Sequence, residues 1–113
     1  MKLTLDSRSG CVLARVAGSL DSGTVDDFGN RVRPIVETQR VDLLIDLSET
    51  DYLTSEALEE FIRLRAAAKR HSNRLVLVSP TPLVRKILEA TRLDAILPVV
   101  YDVRDAVINV EHN

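Results

Sequence analysis

Short apolar runs alternate along the chain with longer stretches in which apolar residues recur every three or four positions, and each spacing predicts an element. Two strand-length runs, "KLTLD" and "CVLARVA", flank "SRSG". The Ser and Gly of that tetrapeptide suit a tight reversal, so the chain opens on a β-hairpin. In "GSLDSGTVDDFGNRVRPIVE", Val25, Phe28, Val32 and Ile35 recur at helical spacing. Thr24, followed three residues on by Asp27, has the form of a capping box at the helix start. Pro34 removes a backbone donor well inside this helix, and a kink or an early end is expected there. "VDLLIDL" (Val41 to Leu47) is apolar except for two aspartates and runs into the polar "SETD". That pattern fits a strand buried on both faces and central in its sheet.

From Ser55 to about His71, Ala57, Leu58, Phe61, Ile62, Leu64 and Ala68 fall on one broad stripe at helical spacing, interrupted by Arg65 and Lys69. "RLVLVS" is another continuous apolar strand. "TPLVRKILEATRL" has Thr81 to cap a helix, Pro82 at its first position, and Leu83, Val84, Ile87 and Leu88 to face inward. "AILPVV" suits a last short strand at a sheet edge, where Pro98 is tolerated, and Asp102 caps a final helix through Val103, Ala106, Val107 and Val110. Strands alternating with helices after a hairpin indicate an α/β domain. Its mixed sheet is antiparallel at the hairpin and parallel where helices make the crossovers, with about four packed helices.

Composition narrows the function classes. The 113 residues suit a single domain spanning 1–113. Fifteen Lys and Arg against seventeen Asp and Glu give a formal charge of −2, which favours neither nucleic acid nor an anionic membrane. Cys11 is the lone cysteine, so an intramolecular disulfide and a cysteine-based metal cluster are both ruled out. Neither a long apolar leader segment nor a membrane-length run is present, and the expected location is cytoplasmic.

Catalytic chemistry finds little support. Ser55 and His71 sit at opposite ends of one predicted helix, about 24 Å apart at 1.5 Å per residue, too far for a nucleophile and its base. His112 is the penultimate residue. The acids are dispersed without ligand spacing, and no glycine-rich phosphate loop occurs. The expectation is a non-enzyme without metal or cofactor, one that neither hydrolyses esters nor turns over nucleotide.

The junction "DYLTSEAL" remains. With Thr54 as N-cap, Leu53 and Leu58 can form a hydrophobic staple, and Glu56 sits at the positive helix end. Ser55 then occupies the first helical position, with its hydroxyl free at the carboxyl end of a strand, where helix N–H groups could receive a phosphate. Residue physics alone ranks a plain helix start first, because Ser and Thr are common there.

The order of landmarks adds a resemblance. "VDLLIDLSETDYLTSEALEEFIRL" resembles the central signature of the STAS domain family, the anti-sigma factor antagonists: a strand ending in Asp-Leu-Ser, a turn, then an Asp-Ser-Ser-Gly-Leu-like helix start. "VAGSLDSGT" resembles its Gly-x-Leu-Asp, "RLVLVSPTPLVRKILEATRLDAIL" its following strand and helix, and "VVYDVRDAV" its terminal strand and helix. The resemblance implies a bacterial module that binds an anti-sigma factor which is also a serine protein kinase and is released when phosphorylated. It puts the phosphorylated serine at Ser55 and the acidic residue of Gly-x-Leu-Asp at Asp21, with Asp21, Thr54, Ser55 and Glu56 on the partner-binding surface. Thr54, Glu56 and Ala57 stand where the family pattern has Asp, a second hydroxyl and Gly, and a Glu56 carboxylate would repel a phosphate on Ser55. Two alternatives stay open: an unphosphorylated STAS subunit of a lipid-transport ABC system, and a small-molecule or nucleotide-binding sensor domain.

Overall fold

The "SRSG" reversal is built as its residues require. In a computed structural model of the chain, which describes residues 1–102 and 104, strand β1 (Lys2–Arg8) pairs antiparallel with β2 (Cys11–Leu20). The register runs from Lys2 opposite Ala17 to Arg8 opposite Cys11, which leaves Ser9 and Gly10 as the turn. After helix α1 (Val25–Thr38) come β3 (Asp42–Asp46), β4 (Thr50–Leu53), α2 (Ser55–Arg70), β5 (Leu75–Val78), α3 (Pro82–Ala90) and β6 (Val99–Val100). The sheet order is β1-β2-β3-β5-β6, with β4 paired to β2. Every pairing other than the hairpin among the described residues is parallel, so the sheet is mixed and β3 is interior, as its run, apolar except for Asp42 and Asp46, predicts.

One face of the sheet carries the main core. Phe28, Val32 and Val36 of α1 and Ala57, Phe61 and Leu64 of α2 close over Val12, Ala14, Val16, Leu43 and Ile45. The Phe28 and Phe61 rings meet edge to face, 6.0 Å between centroids at 69°. A smaller buried group, Cys11, Leu13, Leu44, Val76 and Val78, lines the opposite face. Between the two helices lies a pairing that periodicity hides. Glu60 is only 2% exposed, and its carboxylate receives Arg33 Nη2 at 2.9 Å and Nε at 3.3 Å, with Arg63 Nη2 also at 3.3 Å. Gly29 makes room for it: a Cβ there would stand 3.0 Å from the Glu60 carboxyl and 2.7 Å from Arg33 Nη2.

Several local expectations give way to tertiary context. α1 runs through Pro34 to Thr38 without ending early, because Pro34 lies on the exposed side, where water can substitute for the missing donor. Ile62, expected inward, is 45% exposed, and Leu83 is 49% exposed. The inward arc of each helix is narrower than the apolar stripe, and α2 is seated by Ala57, Phe61, Leu64, Ala67 and Ala68 instead. "SETD" is more than a turn, since its last two residues open β4. Thr50 is held there by a hydrogen bond from its Oγ1 to Val16 O at 2.7 Å. The first part of "AILPVV" belongs to a 3₁₀ turn (Leu93–Ala95), and only Val99–Val100 form strand, at the sheet edge beside β5.

Three α-helices lie among the described residues; a fourth was expected beyond Asp102, and its residues 103 and 105–110 fall outside them. Asp102 Oδ1 accepts the Arg104 backbone N–H at 2.9 Å. No helix of the described residues is long and apolar enough to cross a membrane.

Candidate functional site

Gly18 shapes the end of β2. Its φ of +94° lies in the region that side-chain-bearing residues avoid, and the β2–β4 register shifts between Gly18 and Ser19. Gly18 N–H donates to Glu49 O at 3.0 Å, which brings the chain before β4 alongside β2. Leu20 then lies opposite Leu53, and Thr54 N–H donates to Leu20 O at 3.1 Å. The carboxyl ends of two parallel strands are thereby side by side, and from them lead Asp21 on one side and α2 on the other.

Asp21 is fixed by its own loop. Its Oδ1 accepts Gly23 N–H at 2.9 Å and faces Thr24 Oγ1 at 3.2 Å, while Asp21 N–H donates to Thr24 Oγ1 at 3.0 Å. The Thr24 hydroxyl also reaches Ser19 O at 3.2 Å. With its hydroxyl turned back onto this loop, Thr24 makes no side-chain bond into α1, so the capping box does not form. The loop that carries Asp21 takes the hydroxyl that the helix would have used.

Thr54 is the N-cap of α2 in extended backbone, but its side chain makes no cap bond either. Its Oγ1 is buried without a hydrogen bond of standard geometry. Ser55 is the first residue of α2 and exposed, as helix geometry at that position predicts. Glu56 beside it is exposed too. Its carboxyl is held below the ordinary carboxylate range first by its own backbone N–H at the helix start, then by the neighbouring Thr54 and Ser55 hydroxyls, with Asp21 opposing. Asp21, Thr54, Ser55 and Glu56 therefore share one end of the sheet. The Glu56 carboxylate stands at the same positive helix end that a phosphate would seek.

Two exposed apolar groups border the same end and are not singled out by the sequence. Tyr52 projects from β4 at 48% exposure. Ile62 stands seven residues after Ser55, two helical turns on, and so shares its face of α2. An isolated Tyr beside a polar turn was the available signal for the first; the period-seven relation to Ser55 was the signal for the second. Ser55 and His71 do lie at opposite ends of α2, with His71 as its C-cap. His112 falls outside the described residues.

The lowered Glu56 titration has a signed consequence. A carboxyl depressed in the folded state adds stability above its unfolded pKa, and that contribution disappears as pH falls through the folded value. Glu56→Gln should therefore melt below the wild type at neutral pH and together with it in strong acid. Thermal unfolding of both proteins across pH would detect this, and a pH-independent difference would contradict it.

Comparison with known proteins places the chain among related folds. Residues 3–100 match the family model described as "Mlab, STAS domain". A protein of Bordetella bronchiseptica named as an anti-sigma factor antagonist, BtrV, is 26% identical over 99 residues, covering 88% of this chain and 85% of its own. The crystal structure of a Thermotoga maritima protein described as an anti-sigma factor antagonist superposes with a TM-score of 0.89 at 18% identity, covering 96% of this chain and 94% of the other. The phosphorylated form of the Bacillus cell fate determinant SpoIIAA superposes with a TM-score of 0.75 at 16% identity, covering 96% and 99%. Its unphosphorylated form gives 0.76 at 17%, covering 97% and 98%.

Proposed function

This chain belongs to the STAS domain family, and from that premise we propose that it is an anti-sigma factor antagonist: a cytoplasmic, non-enzymatic module that binds an anti-sigma factor with serine kinase activity. The contact surface is the end of the sheet that holds Asp21, Thr54, Ser55 and Glu56, continued by Tyr52 and by Ile62 on the outer face of α2. The observation that carries this reading is the exposed Ser55 hydroxyl at the first position of α2, directly after the paired carboxyl ends of β2 and β4. It is further supported by the name of the Bordetella relative and by the existence of a phosphorylated form of SpoIIAA, a protein of the same fold. Tyr52 and Ile62 supply the apolar area that a protein interface needs around a small polar switch.

The switch is electrostatic. The partner kinase transfers the γ-phosphoryl group of ATP to Ser55 Oγ, which loses its proton, and ADP leaves. The phosphate adds roughly −1.5 to −2 charges beside Glu56 and Asp21. An interface that accommodated a neutral hydroxyl must then desolvate a cluster of like charges, and the complex separates.

Given its kinase and ATP, the protein should gain one phosphate on Ser55, mapped by mass spectrometry and absent in Ser55→Ala; Thr54 is the neighbour from which the mapping must separate it. Ser55→Ala should keep partner binding, whereas Ser55→Asp should weaken it by more than about 1.4 kcal/mol, tenfold in affinity. Equal binding of wild type, Ser55→Ala and Ser55→Asp in titration calorimetry would reject the switch and favour an unphosphorylated structural subunit.

A further inference from the structure

Arg65 and Lys69, the two charges that interrupt the apolar stripe of α2, stand one turn apart on one side of the helix, where like charges repel. Among the described residues neither makes an ion pair or a side-chain hydrogen bond. Both border a recess of about 260 Å³ between the last turns of α2, the start of β5 and the turn leading to β6. Leu75 and Leu97 line it from the core and are buried; Ile96, 47% exposed, stands at its rim. Arg74 adds a third cation, its guanidinium anchored on Asp42 Oδ2 at 2.8 and 2.9 Å. Lys69 follows Ser55 by fourteen residues, so the recess lies roughly 21 Å along α2 from the proposed switch.

The end of a helix ordinarily repels anions through its free carbonyls. Here that repulsion is reduced: Ala68 O accepts the His71 and Asn73 N–H groups at 3.1 and 2.8 Å, and Lys69 O accepts Ser72 N–H at 3.1 Å. What faces the recess is an unpaired Arg and Lys beside an apolar wall. We propose that it binds a small amphiphilic anion, an acidic head group on a short hydrocarbon chain. The head bridges Arg65 and Lys69, replacing their mutual repulsion with charge-assisted hydrogen bonds, and the chain lies against Leu75, Ile96 and Leu97. The volume sits just under the range of sites for drug-sized ligands, which suits a ligand of this kind.

Octanoate is a suitable probe, titrated into the whole ¹⁵N-labelled protein and followed through its amide resonances. The amides of Asn73, Leu75, Ile96 and Leu97 should shift saturably and those around Ser55 should not. Inorganic phosphate, a head without a chain, and octanol, a chain without a charge, should each bind at least about tenfold more weakly. Arg65→Gln/Lys69→Gln should weaken octanoate by at least about tenfold, and Ile96→Ser should weaken it while leaving phosphate unchanged. Scattered or unsaturable shifts, a double variant that binds octanoate as tightly as wild type, or phosphate or octanol matching octanoate would each overturn the proposal. Should a variant perturb folding, the comparison of the three probes on the unaltered protein still decides.

Discussion

Phe61→Ala should lower the free energy of unfolding by about 3–5 kcal/mol, measured by chemical denaturation. Phe61 is fully buried, joins α2 to the sheet through the main core, and meets Phe28 of α1 edge to face. Truncation removes that ring contact and leaves a cavity where two helices and the sheet converge, and close-packed surroundings cannot collapse to fill it. Ile62→Ala on the neighbouring position serves as the internal control. Being half-exposed, it should change stability by less than about 0.5 kcal/mol. A small loss at Phe61, or equal losses at both, would show that α2 is not seated through Phe61.

Arg33→Met should cost about 2–3 kcal/mol, because it leaves the Glu60 carboxylate buried with only Arg63 in reach. The figure is below that of a wholly buried pair, since Arg33 is itself partly exposed and water screens its side of the contact. Replacing both members, Arg33→Met with Glu60→Leu, should recover much of that loss, because no charge is then stranded between α1 and α2. A double-mutant cycle by denaturation should return a coupling of at least about 1 kcal/mol; additive losses would mean that the two residues act independently.

The parts of this fold that were legible in the sequence are those decided within a few residues. The hairpin follows from Ser9–Gly10, the interior strand from the mostly apolar run at Val41 to Leu47, and the start of α3 from Thr81 and Pro82; the Thr81 hydroxyl indeed accepts Val84 N–H at 3.4 Å. The parts that were not legible depend on partners far along the chain. β4 exists because Gly18–Leu20 pair with it and because Thr50 reaches Val16, thirty-four residues earlier. Glu60 reads as a solvent-facing charge on any helical wheel, yet Arg33, twenty-seven residues before it, takes it inside. Ile62 and Leu83 show the converse, apolar residues that no neighbouring element comes to cover.

The candidate site divides the same way. Ser55 at the first helical position followed from helix-start chemistry, and the resemblance drew attention to it. The proximity of Asp21 to Glu56 depends on β2 and β4 ending together, which no local spacing encodes. The diversion of the Thr24 hydroxyl to Ser19 and Asp21 could not be separated from a capping box at all, because both uses need the same residue types in the same order.

The order of strands also bears on how the protein behaves at high concentration. An open sheet offers its outer strands as templates for other chains; the path through the described sheet ends at β6 and β1, and the four-residue β4, paired with β2 alone, adds a short third border. β6 is two residues long, too short to recruit a stable neighbour. β1 is seven residues long and is guarded instead by charge: Lys2, Asp6 and Arg8 alternate with Leu3, Leu5 and Ser7. A second copy stacked in parallel register would bring each of those charges against its own kind, so self-assembly into fibrils is opposed by the same strand that completes the hairpin.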